Sequence, residues 1–390
     1  MNKYTITIII NNNIYCKYKC IFVIKYKTIF IMENDNLDEF KYNYQLTEYD
    51  SSLTKDIDIT SNIINFYFEN PFINASGCMC RTETELNSLK NSISSSMITK
   101  TCTLKLREGN PTPRYFDNES LSINSMGLPN KGINYYLDYY SKISKNNNNN
   151  NNKKIKFLSI GGMSLQENID ILNTIFMEII NNSIIDAIEI NFSCPNLVGH
   201  PQLGYDFDNM DYYLNKLITI INNFESNMKY DYKYKQLLVG VKLPPYFDMI
   251  HFEKVADIIK KNPRVDFITC INSIGNGLYI DLDSETTVIK PKNGFGGLGG
   301  SIVKPTALAN VHKFYQLLGR SVYIIGCGGI STGADAFEYI LAGASLLSIG
   351  TQLVKEGVNV FNRIEHELKC IMKEKGYKRL DDFRGKLKHL

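Results

Sequence analysis

A thiol flanked by two carboxamides follows a β-branched run and precedes a loop broken by glycine and proline: Glu189-Ile190-Asn191-Phe192-Ser193-Cys194-Pro195-Asn196. A cysteine so placed can serve as a base or a nucleophile, and the amides of Asn191 and Asn196 can grip a planar polar ligand beside it. Free cysteines are most often buried as small apolar residues. Pro195 and the polar loop containing Gly199, His200 and Pro201 favour a functional thiol instead. The five histidines, at 200, 251, 312, 366 and 389, show neither triad-like nor metal-like spacing.

Other residues could share that chemistry. Lys100 and Lys242 each close an apolar run, and a buried, unpaired ammonium is costly, so each is expected to neutralise an anion or a reduced cofactor. Asn124-Ser125-Met126-Gly127-Leu128-Pro129-Asn130 is a turn-rich loop; with Asn191, Asn196 and Asn272-Ser273 it would converge several amides on a small, flat ligand. Ile325-Gly326-Cys327-Gly328-Gly329-Ile330 and Ser348-Ile349-Gly350-Thr351 each follow an apolar run. Glycines there let backbone N–H groups approach phosphate oxygens, which points to a phosphorylated cofactor. Gly294 to Gly299 formally matches GxGxxG, but Pro291 precedes it and Pro305 follows, so the expectation is a flexible loop beside the cofactor and not a dinucleotide fingerprint. Cys78-Met79-Cys80 has no second cysteine or histidine pair to complete a metal site, and no metal is expected.

The elements that must position these groups recur with a steady rhythm. Short apolar runs at 72–76, 96–101, 156–161, 187–192, 237–242, 267–272, 322–326 and 346–350 alternate with amphipathic stretches such as 165–181, 212–223, 252–261, 307–318 and 334–341. Alternating strand and helix implies a parallel sheet, and eight units over about 300 residues fit a closed (β/α)8 TIM barrel of the α/β class. Polar residues and glycines fall at the C-terminal ends of the runs, where such barrels gather their chemistry: Ser76-Gly77, Lys100-Thr101, Asn191 to Asn196, Lys242, Asn272-Ser273, Gly328-Gly329 and Gly350-Thr351.

Composition narrows the partners. The 390 residues are 44% apolar with a net charge of +3, and the basic residues are scattered, so neither nucleic acid nor an anionic membrane is expected. Nine cysteines without a repeated spacing suit a reduced compartment better than a disulfide framework. Residues 1–54 read as a disordered extension with Met32 as an alternative start, and residues 55–390 as the barrel, with an asparagine-rich loop insertion at 146–152.

From about residue 70 to the end the chain resembles the class 1A dihydroorotate dehydrogenases. The resemblance rests on Asn70-Pro71-Phe72-Ile73-Asn74-Ala75-Ser76-Gly77, Arg107-Glu108-Gly109-Asn110-Pro111, Asn124 to Asn130, Asn191 to Asn196, Pro201-Gln202-Leu203, residues 240–248 and residues 304–310. It implies an FMN-containing barrel, a cytoplasmic homodimer that oxidises dihydroorotate to orotate in pyrimidine synthesis and reduces fumarate to succinate. By the same resemblance Cys194 is the base and Lys100 a second catalytic group. Lys100, Asn124, Asn191, Asn196, Asn272 and Ser273, with the backbone of Met126, Gly127 and Leu128, would hold the substrate. Ala75, Ser76, Gly77, Lys100, Thr101, Asn191, Lys242, Gly300, Gly328, Gly329, Gly350 and Thr351 would hold FMN. Thr101 stands where serine is common in the family, a change that keeps the hydroxyl. The competing readings are an NAD-linked class 1 subunit, a pyrimidine-base reductase, and a non-enzymatic flavoprotein scaffold.

Overall fold

Eight apolar runs become eight strands: β1 Phe72–Asn74, β2 Ser96–Ile98, β3 Ile155–Ile160, β4 Ala187–Asn191, β5 Leu238–Leu243, β6 Phe267–Cys270, β7 Tyr323–Cys327 and β8 Leu346–Ile349. The computed structural model describes residues 54–146, 154–182, 184–193, 202–228 and 234–390. The expected extension over 1–54, apart from Thr54, and most of the asparagine insertion at 146–152 therefore lie outside the described residues. The strands form one sheet in the order β1-β8-β7-β6-β5-β4-β3-β2, every neighbouring pair parallel.

The seam between β1 and β2 is closed by side chains. Asn74, fully buried, donates from Nδ2 to the Ile98 carbonyl and accepts the Ile98 N–H on Oδ1, both at 2.9 Å. Its amide thus stands in for a peptide group of the missing ladder. Below it, Asn70 donates to the Ile93 carbonyl at 2.7 Å and accepts from Ser95 N–H at 3.1 Å.

The outer layer comprises α1 Glu83–Lys90, α2 Ile133–Asn146, α3 Leu165–Asn182, α4 Phe207–Met228, α5 Met249–Lys261, α6 Lys304–Leu318, α7 Gly333–Ala342, α8 Thr351–Glu356 and α9 Asn359–Glu374. The longer helices bury an apolar stripe, as α9 does with Val360, Phe361, Ile364, Leu368 and Met372, whereas the short α8 buries only Leu353. Start and stop signals are local: Thr332 and Asp335 form a capping box at the start of α7, and Gly343 ends it at φ 119°.

A hairpin of Ser61–Ile63 and Phe66–Phe68 precedes the first strand. Its Ile63, Phe66 and Phe68 pack with Ile73, Ile98, Phe157, Leu238 and Phe267, so the barrel is plugged at its N-terminal end. Packing there is tight enough that a Cβ on Gly240 would stand 2.3 Å from the Phe267 ring. The other end carries a four-stranded antiparallel sheet, Ile274–Gly277, Gly296–Gly299, Ser122–Asn124 and Tyr115–Asp117, built from the segments that leave β2 and β6. The glycine run expected as a flexible loop is thus largely a strand. Glycine serves close approach there, since a Cβ on Gly296 would meet the Asn124 carbonyl at 2.7 Å.

Candidate active site

Alternation along the strands builds the site in layers. On β4, Ala187, Glu189 and Asn191 share one face; on β5, Leu238, Gly240 and Lys242 do. Ala187 and Leu238 pack with the plugging hairpin, which fixes that face as the barrel interior. The interior is apolar at the bottom and polar above. Glu189, 2% exposed, accepts from Ser159 Oγ at 3.1 Å and from Thr269 Oγ1 at 2.7 Å. At the mouth, Ser76, Thr101, Asn191, Ser193 and Asn272 join one network. Thr101 Oγ1 lies 3.0 Å from Ser76 Oγ and accepts from Asn191 Nδ2 at 3.2 Å. Asn191 Oδ1 accepts from Ser193 N–H at 3.0 Å, and Asn272 Nδ2 donates to Ser193 Oγ at 2.9 Å. Asn272 Oδ1 in turn accepts from Ser273 N–H at 2.8 Å.

Both expected lysines are at this mouth and buried. Burial pulls the Lys242 ammonium down, but Cys327, Glu189, Cys78 and Cys80 together outweigh it and leave it above its ordinary value. Lys100 faces Gly77: a Cβ there would stand 3.1 Å from Lys100 Nζ, and Gly77 sits at φ +134°, where other residues are strained. The neighbouring thiols are not available as bases. Burial pushes Cys78 up to about 11 against the pull of Lys100, and pushes Cys80 up to about 12. Burial likewise raises Cys327, with Lys242 opposing.

The loop at 124–130 is pinned from its carbonyl side. Met126 O accepts from Asn110 N–H and Leu128 O from Asn130 Nδ2, both at 2.9 Å. Gly127 has φ +71°, and a Cβ there would overlap Asn110 Oδ1 at 2.4 Å. Leu128, at φ 56°, holds a left-handed backbone that a branched residue rarely adopts, the kind of strain that clusters at ligand clamps. Asn124 closes its strand and donates to the Gly297 carbonyl at 3.2 Å.

The glycine loops come together on the β7–β8 side. Gly328 and Gly329 have φ +131° and +72°, and a Cβ on Gly329 would meet the Gly300 carbonyl at 2.9 Å and Lys304 Cβ at 2.8 Å. Thr351 Oγ1 is 2.9 Å from Ser122 Oγ, and the Ala75 methyl lies 3.4 Å from where a Cβ on Gly350 would be. Lys304 is turned away to Asp335 at 2.6 Å and Glu338 at 3.0 Å.

Of the residues expected from sequence, Cys194 and Asn196 lie outside the described residues. The others fall at the C-terminal end of the barrel, in the antiparallel sheet beside it, or in the loops that leave that sheet, as Met126, Gly127, Leu128 and Gly300 do. Sequence reasoning passed over Ser193, Glu189, Ser159 and Thr269. Their signal was parity: Glu189 stands two residues before Asn191 on a strand and so shares its face. Among the described residues no group of three or more His, Cys, Asp or Glu could hold a metal, and no helix is long and apolar enough to cross a membrane.

This arrangement has close relatives. A family model described as dihydroorotate dehydrogenase matches residues 58–372. The chain is 49% identical over 334 residues to a putative dihydroorotate dehydrogenase A (fumarate) of Streptococcus agalactiae, covering 86% of this chain and all of the relative. It is 49% identical over 330 residues to a dihydroorotate dehydrogenase (fumarate) of Saccharomyces cerevisiae, covering 84% of this chain and 98% of the other. A crystal structure of DHODH from Eimeria tenella in complex with ferulenol shares the fold at TM-score 0.70 and 22% identity, over 87% of this chain and 91% of that one. With a barrel whose polar mouth carries the expected lysines and amides, and relatives matching nearly end to end, the chain belongs to the dihydroorotate dehydrogenase family.

Proposed function

We propose that the protein oxidises (S)-dihydroorotate to orotate in pyrimidine synthesis and delivers the two electrons to fumarate, which becomes succinate, with FMN as the resident cofactor. The observation that carries this reading is the connected mouth network of Thr101, Asn191, Ser193 and Asn272 beside two buried lysines, in a chain about half identical to relatives named for fumarate. The residues present suit FMN. The cradle at Gly300, Gly328 and Gly329 has no room for side chains on its own walls and offers neutral donors to a phosphate, with Gly350 and Thr351 adjoining. Ala75, Ser76, Gly77, Thr101 and Lys242 line the remainder of the proposed cofactor site. When bound, FMN supplies the acceptor for the hydride leaving substrate C6 and hands its two electrons on to fumarate.

The chain's own residues do the rest. Cys194 as thiolate removes the C5 proton; Cys78, held protonated near 11, cannot replace it. Lys242 holds a permanent positive charge where negative charge develops, and Lys100 offers a second for the substrate carboxylate. Asn124, Asn191, Asn196, Asn272 and Ser273, with the strained backbone at Met126, Gly127 and Leu128, orient the flat ring.

The arm of Ile280–Asp281 and Thr286–Thr287 exposes Leu278, Ile280 and Leu282, the last by 85%, which suits burial against a second copy of the chain. We therefore read the working form as a homodimer, and take the cytoplasm as its place from the family resemblance alone. The decisive experiment adds dihydroorotate anaerobically to the yellow protein and follows the flavin's visible absorbance. Bleaching that fumarate reverses supports both half-reactions. Bleaching reversed by NAD but not fumarate would move the electron acceptor, and no bleaching would reject dihydroorotate as donor.

A further inference from the structure

Glu189 has no role in the reaction as derived above, yet it is a carboxylate held inside the barrel directly beneath the mouth network. A carboxylate accepts and does not donate, and that fixes the direction of every bond above it. Ser159 Oγ spends its proton on Glu189 Oε1, so at its 2.9 Å contact with Thr101 Oγ1 it must accept. Thr101 donates to Ser159 in this arrangement and accepts from Asn191 Nδ2 at 3.2 Å, while Ser76 Oγ, 3.0 Å from Thr101 Oγ1, shares its proton between Thr101 and the Thr99 carbonyl. Asn191 is left with Oδ1 facing the other way, where it takes the Ser193 N–H at 3.0 Å and the Ser193 hydroxyl at 3.1 Å. Ser193 Oγ also contacts the Lys242 carbonyl at 3.2 Å and accepts from Asn272 Nδ2 at 2.9 Å. Four links therefore run with one polarity from a buried anion to the residue before Cys194. Thr269, bonded to the second carboxylate oxygen at 2.7 Å, braces Glu189 from β6.

We propose that Glu189 is a positioning residue. Its carboxylate anchors the Ser159–Thr101 hydroxyl chain that holds the Asn191 amide in its ligand-binding orientation, and, paired with Gly240 on the adjacent strand and so one interior position below Lys242, it supplies that lysine's counter-charge inside the barrel. The proposal rests on the dihydroorotate reading of the mouth. Its two parts separate experimentally, because Ser159→Ala cuts the chain and keeps the charge. Glu189→Gln removes the charge, while Gln Oε1 can still accept from Ser159 and its Nε2 can turn to Thr269.

The test uses the flavin-loaded full chain and two readouts besides turnover: orotate binding by flavin spectral shift, and the two-electron midpoint potential. For Ser159→Ala the orotate Kd rises about tenfold and kcat/KM falls in step, as expected for one lost orienting hydrogen bond, while the potential stays that of the wild type. For Glu189→Gln the orotate Kd stays within about threefold, and the uncompensated Lys242 favours the reduced, anionic flavin about tenfold, a positive shift of about 30 mV. Wild-type orotate binding in Ser159→Ala would overturn the orienting role, and an unmoved potential in Glu189→Gln would overturn the counter-charge. Variants that only melt earlier, with both readouts unchanged, would reduce Glu189 to a structural residue. Failure of the underlying reading is distinguishable, since the wild-type protein itself would then not bind orotate.

Discussion

Gly329→Ala tests the cofactor cradle by steric means alone. Gly329 sits at φ +72°, and an added Cβ would lie 2.8 Å from Lys304 Cβ, 2.9 Å from the Gly300 carbonyl and 3.1 Å from Lys304 N. Two of these are backbone atoms, so relief requires the loops at 300 and 329 to move apart. The left-handed backbone alone costs an alanine about 1–2 kcal/mol. Parting the loops removes at least one N–H from a bound phosphate, and a hydrogen bond to a charged group contributes about 1.5–3 kcal/mol. At about 1.4 kcal/mol per decade, FMN affinity should fall about 10- to 100-fold. Gly376→Ala is the control: Gly376 has φ +78° but nothing within 4 Å of its added Cβ, so it carries the backbone penalty without the collision. Apoprotein of each variant is titrated with FMN by fluorescence quenching, and melting is followed with and without flavin. Both variants should melt earlier, and only Gly329→Ala should lose affinity and most of the flavin-dependent rise in Tm. Equal FMN affinity in the two variants would refute the cradle.

Other consequences can be checked in parallel. Cys194→Ala should bind FMN and orotate yet lose most turnover near neutral pH, and wild-type-like rates would remove Cys194 from the base role. Asn74→Ala leaves the buried N–H and carbonyl of Ile98 unpaired at the barrel seam, so urea denaturation should show a loss of about 2–5 kcal/mol; a loss below about 1 would mean the seam closes without the amide. Cys78, pushed up to about 11, should be alkylated by iodoacetamide at pH 8 far more slowly than Cys194, as peptide mapping would show; equal rates would contradict the assignment of the base. Burial pushes Asp335 up, but Lys304 and Ser331 outweigh it and hold its carboxyl below the ordinary 3.8. A depressed value means stability that is present above about pH 4 and is lost as pH falls through the folded value. Asp335→Asn should therefore be less stable than wild type at neutral pH and show a shallower acid loss in denaturant titrations between pH 5 and 2; parallel curves would refute it.

Much of the architecture is written locally and could be read that way. All eight barrel strands begin within a residue of the apolar runs, and Lys100, Asn191, Lys242, Asn272, Gly328, Gly329 and Gly350 fall at or just beyond the strands' C-terminal ends. Misreadings arose where distant chain supplies the partner. The run at 96–101 stops as a strand at Ile98, because the Lys100 N–H turns to the Cys80 carbonyl. Residues 296–299 look like a loop by composition and form a strand because 122–124 and 274–277 flank them. The hold on Met126 likewise depends on Asn110, which nothing nearby in sequence marks as its partner.

Glu189 is the sharpest case, because its meaning changes with its surroundings. In a strand exposed on one face it would be an ordinary solvated acid. In a closed barrel the same position points inward, and burying an unsatisfied carboxylate would cost several kcal/mol. The fold tolerates it because β3 and β6 each bring a hydroxyl, Ser159 and Thr269, and β5 brings Lys242. Each of those residues is unremarkable alone, and none is close to Glu189 in the chain. Once the four strands close, however, the acid accepts from Ser159, Ser159 can accept from Thr101, and Asn191 gives its Nδ2 to Thr101 and keeps Oδ1 for Ser193. The orientation of the ligand-binding amide thus follows from a charge two residues earlier on the same strand, through partners that only closure of the barrel assembles.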